Sequence, residues 1–257
     1  MKAKRAARGI YSVVDPENPW KLPRLDWGFP RYSYKMSGAE WKDLVARAKL
    51  GDAEAEWQVG GMYDDGCKDK RGRILVRCNA RLAREWYRRA AEHGSVSAQN
   101  TLGVILGGNY GVKRNTRAAL LWLKRAFRGG DTSSAANNIA ITYRESGNFR
   151  EAVRWFKKAV RAGDVGDWVQ LGVHSYWGKG TVTDYVSAVR FFRKAIRAID
   201  FDWYERDDAF FFLGIAYLEG KGVKKSLAMA RKHLERANRD NDHLAAQRLL
   251  KQMERGI

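Results

Sequence analysis

Residues 79–90 read NARLAREWYRRA, and residues 115–126 repeat the pattern as NTRAALLWLKRA. Each segment has a small polar residue, an alanine four positions later, an aromatic residue three beyond that, and a second alanine after four more. Three further copies start at Asn148, Asp184 and Ser226. The first alanines of the copies, Ala83, Ala119, Ala152, Ala188 and Ala230, are 36, 33, 36 and 42 residues apart. A recurrence of this length predicts a solenoid of stacked helical units.

The spacing of this pattern predicts one amphipathic helix in each unit, here named helix B. Positions i, i+3 and i+7 share a helix face, so the aromatic residue is expected to pack between the two alanines against a neighbouring helix. That position is occupied by Trp86, Trp122, Trp155, Phe191 and His233. Asn, Asp and Ser favour the N-cap position, so each helix B is expected to begin directly after the first residue of its pattern.

A second pattern precedes each helix B and predicts a partner helix, named helix A. An apolar residue is followed by a small one in Val59-Gly60, Leu102-Gly103, Ile139-Ala140, Leu171-Gly172 and Leu213-Gly214. Glycine inside a helix is about 1 kcal/mol less favourable than alanine, so its recurrence indicates that another helix approaches closely there. After the last unit, Lys251 follows Leu250 in place of a small residue, as expected for a terminal capping helix.

These residues resemble Sel1-like repeats, a family related to the tetratricopeptide repeat. The likeness is carried by Ala55…Val59-Gly60…Tyr63…Gly66, by Ala83…Trp86 through Gly94, and by Leu213-Gly214…Tyr217…Gly220-Lys221-Gly222-Val223. It implies an all-α fold, a right-handed α/α solenoid of about five helix pairs with capping helices. The third unit departs from the pattern because it passes through Ser146-Gly147-Asn148 without a Gly-x-Gly-Val turn.

We expect an N-terminal arm, a capping helix, five repeats and a second capping helix. All four prolines precede residue 31, so residues 1–36 are expected to form a basic, non-helical arm that packs on the first helices from about Trp20 onward. The proline-free remainder is expected to be helical throughout. A capping box, Ser37-x-x-Glu40, opens the predicted helix at 37–50. The predicted repeats cover 51–93, 94–129, 130–162, 163–199 and 200–238, and the C-terminal cap covers 239–257.

No pattern in the sequence predicts catalysis, a cofactor or a bound metal. The four histidines, His93, His174, His233 and His243, lie in different units without metal-ligand or nucleophile–base spacing. We therefore predict a non-enzyme with no catalytic, cofactor-binding or metal-binding residues. Cys67 and Cys78 are expected to be unpaired, although the family resemblance leaves a disulfide between them open.

The sequence shows neither a secretory signal peptide nor a membrane-spanning segment. No segment is apolar over transmembrane length, and no apolar run follows the positive residues between Met1 and Gly9. We expect a cytoplasmic protein without a membrane span. An organellar transit peptide and secretion by a route that needs no signal peptide stay open.

The helix-A pattern predicts a protein-binding face. If the Ala, Leu and Tyr positions face the core, the residue before each apolar–small pair and the residue four later face the open, concave side. This nearly uncharged set comprises Gln58, Met62, Thr101, Ile105, Asn138, Thr142, Gln170, His174 and Phe212. In related helical-repeat proteins ligands dock on the inner face, where amides can bind an extended peptide. The alternative is that these are polar residues tolerated on a solvated face.

The net charge of +19 suggests a polyanion as an alternative partner. Two basic columns follow the ends of the B helices, and they comprise Arg88, Arg89, Lys124, Arg125, Lys157, Lys158, Arg193 and Lys194. They could bind a phosphate backbone, or they could complement the helix dipole and cover apolar surface with their stems. The acidic and aromatic residues between Asp200 and Phe212 could likewise be an interface cluster or the seam between the fourth and fifth units.

These patterns favour a non-catalytic scaffold that binds one partner protein, expected to be acidic, on the concave helix-A face. Nucleic-acid or polyanion binding through the basic columns is the alternative. The family resemblance implies a bacterial adaptor, a secreted effector, a toxin-neutralising (immunity) protein or a signalling protein.

Overall fold

The computed structural model describes residues 34–108, 112–198 and 203–256. These residues fall into two compact units, an N-terminal unit of residues 34–147 and a C-terminal unit of residues 148–256. The predicted arm lies outside the described residues except for its last three, 34–36. Its expected packing on the first helices from Trp20 onward therefore stays a prediction.

Helices make up most of the described chain. The N-terminal unit comprises β1 (Tyr34–Lys35), α1 (Gly38–Lys49), α2 (Ala53–Asp65), β2 (Cys67–Lys68), β3 (Ile74–Val76), α3 (Ala80–Glu92), α4 (Val96–Leu106), α5 (Thr116–Arg128) and α6 (Ser134–Glu145). The C-terminal unit comprises α7 (Phe149–Arg161), α8 (Asp167–Trp177), α9 (Tyr185–Arg197), α10 (Trp203–Glu219), α11 (Leu227–Ala237) and α12 (Leu244–Glu254). The even-numbered helices from α2 to α10 are the predicted A helices, and the odd-numbered ones from α3 to α11 are the B helices. Within each unit, every helix packs on its neighbours in sequence.

The predicted helix starts are confirmed in all five B helices. The side chains of Asn79, Asn115, Asn148, Asp184 and Ser226 each accept a hydrogen bond from a backbone N–H in the first turn of the helix that follows. Ser37 and Glu40 form the predicted capping box at the start of α1. Because each cap satisfies a helix N–H that would otherwise lack a partner, the sequence sets these boundaries locally.

Close approach of helices A and B is confirmed at the recurrent glycines. A Cβ atom on Gly60, Gly103 or Gly214 would lie 2.6 Å from Tyr87, 2.5 Å from Leu123 and 2.8 Å from Leu234, respectively. Gly172 meets Phe192 in the same way. In each pair, the glycine of helix A leaves room for a large side chain of the following helix B.

The structure corrects the predicted role of the helix-B aromatic. The side chain that fills the glycine gap is the residue directly after it, so Tyr87, Leu123, Phe192 and Leu234 are buried. The preceding Trp86 and Trp122 are only half-buried at the side of the helix. One residue is a rotation of about 100°, and the alanine pattern alone did not determine which of two adjacent apolar positions faces helix A.

A recurrent backbone hydrogen bond joins the end of helix A to the start of helix B. The N-cap N–H of Asn79, Asn115, Asp184 and Ser226 donates to the carbonyl of Tyr63, Leu106, Ser175 and Tyr217, respectively. Each acceptor lies three residues after the helix-A glycine. This bond fixes the connection between the two helices at the same place in four repeats.

A three-stranded sheet replaces part of the chain that was expected to be helical. Strand β2 pairs in parallel with β1, where Cys67 lies opposite Tyr34, and antiparallel with β3, where it lies opposite Val76. These strands contain two or three residues each, too few for a period-2 pattern to be recognised in the sequence. The sheet closes the long connection between α2 and α3.

Candidate functional site

The proposed helix-A face is only partly available at the surface. Five of its nine predicted residues are buried, namely Met62, Ile105, Thr142, His174 and Phe212. They cannot contact a partner in this structure, so the prediction that they face the open side is wrong.

The reason is that a helix A is covered on two sides. Besides its contact with the following helix B, it packs through the residue two positions after the glycine against the element before it. Ile105 of α4 packs with Ala83 and Tyr87 of α3. His174 of α8 contacts the ring of Phe156 of α7, with ring centroids 5.6 Å apart. The second residue predicted for the face on each of these helices, four positions after the first, is therefore in the core.

Phe212 belongs to the core between three helices of the C-terminal unit. Its ring stacks on Phe192 of α9 at a centroid distance of 5.4 Å and meets Trp177 of α8 edge-on at 5.6 Å. Phe211 is fully buried beside it and lies 4.7 Å from the ring of His243. For Phe212 the structural interpretation, a seam between the fourth and fifth units, is therefore confirmed, whereas Phe211 contacts the start of the C-terminal capping helix.

The polar residues that stay near the surface form a hydrogen-bonded row across three A helices of the N-terminal unit. Trp57 Nε1 of α2 donates to Thr101 Oγ1 of α4 at 3.4 Å. Asn138 Nδ2 of α6 donates to Asn100 Oδ1 of α4 at 3.0 Å. We call Trp57, Gln58, Asn100, Thr101 and Asn138 the A-helix face. Gln58 is exposed, and the other four are half-buried.

Two members of this face, Trp57 and Asn100, were missed by the sequence analysis. Each directly precedes a predicted residue, so the dipeptides Trp57-Gln58 and Asn100-Thr101 stand at the same register of successive A helices. That shared register was a usable signal. The remaining predicted residue, Gln170, is half-buried on α8 of the C-terminal unit.

The two basic columns of the B helices have different environments. In the second column, Arg89 and Arg125 lie over the rings of Trp86 and Trp122, at 4.5 and 4.7 Å from the ring centroids. Lys158 lies 3.8 Å from the ring centroid of Trp155, and Lys194 lies 4.4 Å from that of Trp168. These cations cover aromatic surface, as the structural interpretation predicted.

The first column is less uniform in its contacts. Arg88 pairs with Glu92 at 2.8 Å, Lys124 Nζ donates to Tyr143 Oη at 3.0 Å, and Arg193 Nη2 donates to Tyr217 Oη at 3.2 Å. The fourth member, Lys157, is exposed, and no ion pair between described residues includes it. The predicted set of eight cations is therefore not one continuous surface of equivalent residues.

The histidines and cysteines occupy separate sites. Among the described residues, no group of three or more His, Cys, Asp and Glu side chains could hold a metal ion. His174 Nδ1 donates to the carbonyl of Lys179 at 2.7 Å, while His243 Nδ1 accepts from the N–H of Ala246 and caps α12. Cys67 and Cys78 are free thiols in this structure. In the described part of the chain, no helix combines the length and apolar composition needed to cross a bilayer.

Comparison with known proteins places these helix pairs in a known class of repeats. The Sel1 repeat model matches residues 53–95, 96–131, 133–164, 169–200 and 208–242. Among functionally curated proteins, none matches the sequence.

Solved structures of other proteins share the fold. A protective antigen of uropathogenic Escherichia coli strains, displaying an SLR fold, is 24% identical with a TM-score of 0.67. The match covers 83% of this chain and 44% of the antigen chain. The chain thus spans less than half of that relative's length. A Sel1 repeat protein from Oxalobacter formigenes is 23% identical with a TM-score of 0.60, covering 78% of this chain and 79% of its own. The predicted class, an all-α helical solenoid of repeats, is thereby confirmed.

Proposed function

The chain belongs to the Sel1 repeat family, and on that premise we propose that it is a scaffold that holds an extended segment of one acidic partner protein on the A-helix face. Sel1 repeats are in general protein–protein interaction modules. The observation that carries the proposal is the row of uncharged polar side chains joined from helix to helix by Trp57–Thr101 and Asn100–Asn138.

The chemistry of this row suits a peptide backbone. Each side-chain amide has two N–H donors and a carbonyl oxygen with two lone pairs, so Asn100 and Asn138 can bind a peptide while keeping the bond between them. Because Thr101 Oγ1 also donates to the carbonyl of Ser97 at 2.9 Å, its orientation is fixed before a partner arrives. A face that is already ordered loses less conformational entropy on binding.

The charge of the chain supports an acidic partner rather than a neutral one. With a net charge of +19, the protein attracts anionic surfaces over a distance of several ångströms, while the face itself supplies uncharged hydrogen-bonding groups. Adaptor, effector, toxin-neutralising and signalling roles all require such a partner. They differ in what the partner does once it is bound, so its identity decides among them.

Site-specific cross-linking tests this proposal. A photoreactive amino acid replaces Gln58 on the A-helix face in one variant and Arg81, exposed on α3, in another. In nuclease-treated lysate of the source organism, we expect one acidic protein to be cross-linked from position 58 and not from position 81. Equal cross-linking from both positions would contradict a docking site on the A helices.

The identified partner then permits a quantitative measurement with purified proteins. Gln58→Glu with Asn100→Asp adds two negative charges to the face and keeps the Oδ1 atom that accepts from Asn138. We expect the dissociation constant to rise about tenfold or more, equivalent to about 1.4 kcal/mol. Arg81→Gln with Lys113→Gln changes the net charge equally at exposed positions away from the face, and it should leave the affinity within about twofold.

A further inference from the structure

Among the helices of the C-terminal unit, positive charge is concentrated on the B helices. Helix α9 has four cationic residues, Arg190, Arg193, Lys194 and Arg197, and no acidic residue, and α7 has five cationic residues against the single acid Glu151. The A helices of this unit have the opposite sign, since α8 contains Asp167 and no Lys or Arg, and α10 contains four acids against Arg206. In this unit the B helices α7 and α9 are therefore basic and the A helices α8 and α10 are acidic.

The ends of α7 and α9 each place two cations on the same face. Lys157 and Arg161 are four residues apart, as are Arg193 and Arg197, and all four side chains are exposed. Residues at i and i+4 of a helix are neighbours, and like charges there disfavour the helix. We call these four residues the basic ends.

Helix α3 shows that the fold does not require this arrangement. At the equivalent positions it has Arg88 and Glu92, which form an ion pair at 2.8 Å. An acid in the last turn is thus compatible with a helix B, and the favourable effect of cations near a helix C-terminus does not by itself explain the basic ends. A negatively charged ligand would explain why these four cations occur there.

The neighbouring cations of the same helices are already used in packing. Lys158 lies over Trp155, and Lys194 lies over Trp168, which is itself stacked on Phe191 at 5.5 Å. By contrast, none of the ion pairs between described residues includes Lys157, Arg161 or Arg197. These three cations project from the helices into solvent.

The surroundings of the basic ends indicate the kind of ligand. No large apolar side chain of α7 is exposed among the described residues, and on α9 the exposed one is Val186, in the first turn at the other end. Protein interfaces and membrane surfaces both use apolar anchors, which are missing here. Trp155 is only 9% exposed, so its ring offers no platform for an unstacked base.

We propose that the basic ends of α7 and α9 bind the phosphate backbone of double-stranded nucleic acid without reading its sequence. Lysine and arginine at exposed positions bind phosphates and release the condensed counterions, and this binding needs neither apolar contacts nor base stacking. The activity is separate from the A-helix face, and either can be lost without the other.

The test is fluorescence anisotropy with a labelled duplex DNA of arbitrary sequence and the full-length chain, between about 50 and 200 mM salt. The variant Arg161→Glu with Arg197→Glu gives α7 and α9 the charge arrangement of α3, so its helices are expected to stay folded. We expect its affinity to fall about tenfold or more, and the slope of log K against log salt to become shallower by about 2. Circular dichroism and thermal melting verify the fold.

A charge-matched control separates the basic ends from net charge. Arg81→Glu with Lys113→Glu makes the same change in total charge at exposed positions of the N-terminal unit, and it should retain most of the affinity. Equal loss in both variants, or no dependence on salt, would overturn the proposal. So would tighter binding of a single strand of the same length, or equal competition by poly-glutamate, because either would assign the ligand to another class.

Discussion

The carboxylate of Glu56 on α2 is fully buried, and its Oε1 atom lies 3.0 Å from Nη2 of Arg89 on α3. Oε2 is 2.7 Å from Nδ1 of His93, which follows the same helix. The side chains of Arg89 and His93 are 36% and 47% exposed, so only the carboxylate is fully removed from water. This asymmetry determines which substitution is the more harmful.

We expect Arg89→Met to lower the free energy of unfolding by about 3 kcal/mol, because it leaves a buried carboxylate with one fewer cation. Glu56→Gln removes the buried charge and leaves the side chains of Arg89 and His93, which water can solvate, so its cost should be about 1 kcal/mol. Urea denaturation at neutral pH measures both values. The reverse order would mean that the charge of Glu56 itself is essential for stability.

The helix-A glycines should not tolerate a methyl group. In Gly103→Ala the new Cβ would meet the side chain of Leu123 at 2.5 Å and the backbone oxygen of Ala119 at 3.2 Å. We expect a loss of about 1–3 kcal/mol in the free energy of unfolding, which exceeds the gain in helix propensity. Gly38→Ala is the control, because a Cβ atom there would have no neighbour within 4 Å and stability should not fall.

His233 should make stability depend on pH. Burial, followed by the nearby charges of Arg236, Lys232 and Arg193, lowers the pKa of His233 to about 4 from its ordinary value of 6.5. Its ring stacks between Phe210 and Tyr217, with centroids at 5.9 and 5.3 Å. The unfolded chain binds the proton more readily than the folded one. The stability contributed by the buried neutral imidazole is therefore complete above pH 6.5 and is lost as the pH falls towards 4.

The variant His233→Phe isolates this effect. It restores the aromatic residue found at the same position of the other four repeats and has no proton to bind. We expect the free energy of unfolding, measured by urea titration at several pH values, to decline less between pH 6.5 and 4 than in the parent chain. Parallel pH profiles for the two proteins would show that other groups dominate acid sensitivity.

The two cysteines should react with a thiol reagent at different rates. Cys67 is fully buried in β2, and burial raises the pKa of its thiol, whereas Cys78 is half-buried before α3. Because the thiolate is the reactive form, a chromogenic disulfide should label Cys78 first and Cys67 only as the protein opens. Single variants Cys67→Ala and Cys78→Ala assign the two phases, and equal rates would contradict the burial of Cys67.

Local features of the fold could be predicted from the sequence. The N-caps at Asn79 and Asp184, and the small residue at Gly103, follow from short-range rules that act within one helix or one helix pair. The sheet joining Tyr34 to Cys67 could not be predicted, because two-residue strands have no recognisable period.

The sequence predicted correctly that some residues of the helix-A face lie near the surface, and it was wrong about others. Gln58, Thr101 and Asn138 lie near the surface as expected, but Ile105 and His174 are buried. The periodicity of a helix shows that one stripe is apolar; it does not show that a second stripe is covered by the preceding repeat. The basic columns were similarly mixed. Lys157 and Lys158 are adjacent in sequence, but only Lys158 lies over a tryptophan ring, that of Trp155.

The sequence by itself determined the number of repeats, the start of each helix B and the charge that these helices carry, because caps, small residues and ionic side chains act within a few residues of the chain. Tertiary structure alone decided which polar residues remain at the surface and which cations are left without a ring to cover. Those properties depend on helices that approach from other repeats, and the same residue type is buried in one such environment and solvated in another.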